Sequence, residues 1–147
     1  MPRNTETVLV VDDETEDLTS TRTVLESAGF AVITADHFQT ALAGFTAHRE
    51  TIDAAVLDVS LPGRNGCELA RELLKLAPDL KILFVSGYVG AEVIRFYGVP
   101  AADIHFLQKP FTPSDLLDRM GKVLRSPEHL LWLNPREGDG RSKVPEE

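Results

Sequence analysis

Cysteine is nearly absent from this chain. Cys67 is the only one among 147 residues, which excludes an internal disulfide and suits a packing role better than a redox one. No stretch approaches the roughly 20 consecutive apolar residues of a membrane-spanning helix. The N-terminus does not read as a signal peptide, so the expected setting is a reducing cytoplasm with no membrane contact. Basic charge is also short: 15 Lys and Arg stand against 23 Asp and Glu, a formal net charge of −8. Without a Lys/Arg cluster the chain lacks the footprint of a nucleic-acid binder. His37, His48, His105 and His129 share no metal-ligand spacing, and none sits in a phosphodonor-histidine motif.

What remains is an ordinary apolar and charged balance, 43% and 26%, enough for one domain with one core. Short apolar runs at Thr7–Val11, Ala31–Ala35, Ala54–Asp58, Lys81–Ser86 and Ile104–Gln108 predict five strands. VLVV, AAVL, ILFV and IHFL show little polar alternation, the mark of parallel strands covered on both faces, whereas AVITA suits an edge. The intervening segments have helical length. The first, about Thr15 to Ala28, places Leu18, Leu25 and Ala28 near one face, and Gly29 stops it. The second, about Phe38–His48, and the fourth, about Ala91–Tyr97, are more weakly periodic. The third is signalled by Asn65 with Glu68 three residues on, runs through Leu69, Leu73 and Leu76, and ends before Pro78. The last opens at Thr112 and Pro113, with Asp115 near the positive end of the dipole, and carries Leu116, Leu117, Met120 and Leu124. Alternating strands and helices imply right-handed crossovers and an α/β, doubly wound parallel sheet with helices on both faces.

In such sheets ligands bind beyond the carboxyl ends of the strands. Those ends carry Asp12, Asp13 and Glu14 after the first strand, Asp58 after the third, Ser86 after the fourth and Lys109 past the fifth. Oxygen ligands without Cys or His suit a hard divalent cation, most plausibly Mg²⁺. Asp12 and Asp13 are placed to hold it, Asp58 to present an oxygen, Lys109 to neutralise an added anion and Ser86 to donate to that anion. Together they describe phosphoryl transfer to a carboxylate.

ETVLVVDDE, AAVLDVSLPGRNGCELA, KILFVSGY and HFLQKPFTPSDLL resemble the receiver domain of two-component response regulators, from about Glu6 to Leu124. Three of these phrases, ETVLVVDDE, LFVSGY and FLQKPFTP, look most like receivers attached to hybrid sensor histidine kinases. The resemblance implies a flavodoxin-like five-stranded sheet in the order 2-1-3-4-5. It makes Asp58 the phosphoacceptor and Lys109 and Ser86 its catalytic companions. Asp12, Asp13, Asp58 and Ser60 become the metal-site positions, Ser86 and Phe106 the switch pair. A cis Lys109–Pro110 bond is typical of the family. The implied activity is a phosphorylation-dependent switch that assists its own phosphoryl transfer without being a turnover enzyme. A sensor histidine kinase or hybrid kinase would be the donor and an unnamed downstream protein the recipient of the signal.

The receiver is expected over residues 6–125. From 126 to 147 the composition turns to Pro, Gly and charge, a tail that extends the last helix or frays, too short for a DNA-binding output domain. Its His129–Leu133 cluster could instead pack on the domain or on a second copy of the chain. Two rival readings are weaker. A haloacid-dehalogenase-type hydrolase would need D-x-D at its nucleophile strand and a cap insertion, neither of which is present. A degenerate receiver would lack part of the Asp12, Asp13, Asp58, Ser86 and Lys109 set.

Overall fold

The computed structural model describes residues 6–87 and 105–125. Within them the order is β1 Thr7–Val11, α1 Thr15–Ser27, β2 Ala31–Ala35, α2 Phe38–His48, β3 Ile52–Asp58, α3 Gly66–Leu76, β4 Lys81–Ser86, β5 Phe106–Gln108 and α4 Pro113–Arg125. All strand pairs are parallel, in the order β2-β1-β3-β4-β5. The weakly amphipathic AVITA strand occupies an edge, where its burial is partial. The Ala91–Tyr97 helix and the 126–147 tail lie outside the described residues. Among the described residues no helix is long and apolar enough to cross a membrane.

Strand alternation splits the apolar side chains into two layers. Leu9, Val11, Ala55, Leu57, Ile82 and Phe84 pack with α2 and α3, through Phe38, Phe45, Leu69 and Leu73. Val8, Val10, Ala54, Val56, Leu83 and Val85 pack with α1 and α4, through Leu25, Leu116, Met120 and Val123. Asp58 continues the Ala54, Val56 series and Asp12 the Val8, Val10 series. Because Val11 pairs with Leu57, the two acids leave adjacent strands on the same side.

Several boundaries and faces differ from expectation. β3 starts at Ile52 rather than Ala54, because the ladder with β1 slips between Thr7 and Val8. The skipped residue, exposed Asp53, accepts a hydrogen bond from the Thr7 N–H at 2.9 Å, so a strand that reads as broken in sequence is continuous. β5 begins at Phe106; His105 precedes it, and Ile104 lies outside the described residues. On α1 the inward residues are Thr21 and Leu25, with Leu18 half-buried, while Ala28 is the exposed C-cap. Gly29 ends that helix at φ 101°, a left-handed conformation that suits a residue without Cβ. On α3 the buried face is Cys67, Leu69, Ala70, Leu73 and Leu74, and Leu76 is exposed, beyond the edge of the stripe.

Two helix starts match their sequence signals. The Glu68 N–H donates to Asn65 Oδ1 at 3.0 Å and the Asn65 N–H to Glu68 Oε1 at 3.1 Å, a reciprocal cap. Thr112 and Asp115 repeat the arrangement at α4, with bonds of 3.0 and 3.1 Å. Cys67 is fully buried in the α2–α3 layer, and burial pushes its thiol up to about 12, as befits a packing residue.

Candidate phosphoacceptor site

The carboxyl-end rim collects the residues that stand out in the sequence. Among the described residues, Asp12, Asp58 and Ser86 are the buried polar residues there, each no more than 4% exposed. Asp12 Oδ1 accepts the Glu14 N–H at 2.9 Å, and Asp58 Oδ1 accepts the Ser60 N–H at 2.9 Å. One oxygen of each acid is therefore fixed by backbone, leaving the other for the rim.

Lys109 supplies the opposing charge. Its backbone N–H donates to the Ser86 carbonyl at 2.8 Å, carrying the β4–β5 pairing past the strand end, and the Lys109–Pro110 bond is cis. Its ammonium lies 2.9 Å from Asp12 Oδ2, 3.0 Å from Asp17 Oδ2 and 3.4 Å from Asp58 Oδ2. Burial alone would lower the Lys109 pKa. The hydrogen bonds to Asp12 and Asp17 and the charges of Asp58 and Asp12 outweigh it and hold the ammonium protonated. At Asp58 burial prevails. Burial, with the charge of Asp12 beside it, raises its carboxyl to about 6 against the pull of the Ser60 N–H and Lys109.

Asp12, Asp13 and Asp58 each offer a carboxylate oxygen, and these atoms lie within 4.8 Å of one another. Three carboxylate oxygens gathered at one rim are the hard oxygen donors that a divalent cation such as Mg²⁺ prefers. Asp13 is exposed, which leaves the solvent side open for the waters that Mg²⁺ retains. The donor chemistry therefore fits the ion. Ser60 is exposed, and its Oγ lies 3.0 Å from Ser86 Oγ. Phe106 is half-buried against the α2–α3 layer, and its carbonyl accepts a hydrogen bond from Arg119 Nη1 on α4.

The family model for the response regulator receiver domain matches residues 8–121. The chain belongs to this family. It is 33% identical over 141 residues to the phosphate regulon transcriptional regulatory protein PhoB of Pseudomonas aeruginosa, covering 95% of this chain and 56% of that one. It is 36% identical over 119 residues to the sensor kinase CckA of Brucella abortus, covering 80% of this chain and 12% of that protein. Among solved structures, a response regulator receiver protein from Sinorhizobium medicae superposes with a TM-score of 0.73 at 28% identity, covering 83% of this chain and 96% of that one. The chain thus spans about half the length of PhoB and of the regulator CreB of Escherichia coli.

The receiver's rim also contains two residues that sequence reasoning did not assign. Gly66, the first residue of α3, approaches β3 so closely that a Cβ would lie 2.4 Å from the Asp58 carbonyl oxygen. Its signal was a glycine directly after an N-cap asparagine, where helix propensity alone offers no reason for it. Asp17 is the second. In the sequence it reads as an acid in the first turn of α1, favoured there by the dipole, and only the tertiary placement of α1 brings it to Lys109.

Proposed function

We propose that this receiver is a phosphoacceptor switch in a two-component phosphorelay, with Asp58 taking a phosphoryl group from the phosphohistidine of a sensor or hybrid histidine kinase. What supports this reading is the convergence of Asp12, Asp13, Asp58 and Lys109 at one rim of a receiver fold. With its carboxyl at about 6, Asp58 is largely ionised at neutral pH yet less stabilised than an exposed carboxylate, which suits a nucleophile. A new Asp58 O–P bond forms as the P–N bond of the donor breaks, and the electron pair leaves on the donor imidazole. The Ser60 N–H holds Asp58 Oδ1 through this step, limiting rotation of the carboxylate. Lys109 faces the phosphoryl oxygens from the Asp58 Oδ2 side.

Asp12, Asp13 and Asp58, with Ser60 as a further position, would hold Mg²⁺, which neutralises negative charge gathering on the transferred group. Ser86 then exchanges its contact with Ser60 Oγ for the phosphoryl, Phe106 moves into the space released, and the surface read by a downstream protein changes. The chain acts as a switch that assists its own loading rather than as a turnover enzyme, and residues 6–125 are sufficient for it.

Acetyl phosphate with Mg²⁺ tests the assignment by intact mass. The parent should gain one phosphoryl group, lost in alkaline hydroxylamine, and Asp58→Asn should gain none. A parent that stays unlabelled would favour the reading of this chain as an interaction module that is never phosphorylated.

A further inference from the structure

We infer that Asp17 is a positioning residue: it holds Lys109 in a resting place and competes with the phosphoryl group for that ammonium. The inference rests on the phosphoacceptor reading of Asp58 and concerns a residue outside the set that reading uses. An ammonium has three N–H donors. At Lys109 they face three carboxylate oxygens, those of Asp12, Asp17 and Asp58. A phosphoryl group on Asp58 takes over the Asp58 contact with one of its own oxygens, and a second phosphoryl oxygen can be served only if another contact is given up.

The three contacts are not equivalent. The side chain of Asp12 is 4% exposed, so leaving it without its counter-charge strands a buried anion, whereas Asp58, 5% exposed, passes its charge to the phosphoryl group it carries. Asp17 is 50% exposed on the first turn of α1, and water can take over from Lys109 at little cost. Its 3.0 Å contact is shorter than the 3.4 Å contact to Asp58, so at rest the ammonium is drawn toward α1 and away from the nucleophile. Loading therefore exchanges the Asp17 contact for a phosphoryl oxygen. Asp17 also lines the groove between α1 and α4, of about 760 Å³, beside Lys109, Pro110 and Phe111.

Beryllofluoride with Mg²⁺, a non-covalent phosphoryl mimic, provides the probe for an affinity measurement on the full chain. Asp17→Asn keeps the shape and an acceptor while removing the charge. It should bind the mimic roughly two- to fivefold more tightly at low salt, the equivalent of one exposed ion pair. The gain should vanish at about 1 M salt, where such pairs are screened. Asp17→Glu should stay near the parent. With acetyl phosphate, Asp17→Asn should lower the half-saturating concentration and leave the maximal rate unchanged. Independently of loading, the Lys109 ammonium protons should exchange faster with water in Asp17→Asn, read by ¹⁵N-lysine NMR without metal or phosphate. Unchanged ammonium exchange, or mimic affinity equal to or weaker than the parent's, would overturn the inference. A parent that exchanges its Lys109 protons slowly but binds no mimic would instead overturn the phosphoacceptor reading, and the competition with it.

Discussion

Asp58 illustrates how a single side chain trades stability for readiness. Its carboxyl is pushed up to about 6 in the fold, from about 4 for an ordinary aspartate, first because it is buried and then because Asp12 lies beside it. Between those values the folded chain binds more protons than the unfolded one, so this residue's contribution to stability falls as pH rises through the window and is lowest above it. Lys109 keeps Asp12 and Asp17 when Asp58 is neutralised. Asp58→Asn should therefore stabilise the metal-free protein at pH 7 to 8, by about 3 kcal/mol for a shift of this size, and the gain should disappear toward pH 4. Urea unfolding at several pH values in the presence of a chelator reads this directly. A variant less stable than the parent at pH 7 would mean that Lys109, rather than burial and Asp12, dominates the Asp58 environment.

At the scale of the element, the helices differ in how they begin. α3 and α4 carry reciprocal side-chain caps, whereas the N-cap of α1, Glu14, makes no side-chain cap, and Asp12 takes its N–H instead. Asn65→Ala should cost about 1 kcal/mol, the usual loss for such a cap, measurable as a lower urea midpoint. Because Gly66 follows and passes close beside the Asp58 carbonyl, with no room there for a Cβ, the loss should be accompanied by weaker phosphoryl uptake at Asp58. These caps were legible in sequence because they are local patterns of residue type. The buried faces of α1 and α3 were only partly so: Ala28 and Leu76 fit the apolar spacing but fall past the sheet that the helix covers. Asp17 was not legible as a Lys109 partner, since nothing in DDETED says which acid of the first turn will face a lysine just past β5.

For the molecule as a whole, the parallel sheet and the converging rim could be read from apolar runs and the strand-end rule, because strands covered on both faces leave few alternatives, while the order 2-1-3-4-5 followed from the resemblance to receivers. The irregularity at Asp53 could not, since one exposed acid within an apolar run looks like the end of a strand. That irregularity decides where the chain can change length. Deleting Asp53 would turn the slip into a regular ladder, Thr7 opposite Ile52 and Val8 still opposite Ala54, and everything downstream would keep its phase. Deleting Ala55 instead would bring Asp58 opposite Val11 and swing its carboxylate to the other layer, among Phe38, Phe45 and Leu69. The two variants lose one residue each, two positions apart in the same strand. The first should fold and accept phosphate with at most the loss of the exposed Thr7 bond, and the second should lose phosphoryl uptake altogether. β3 would then have a single expansion joint, placed at the end of the strand farthest from the chemistry.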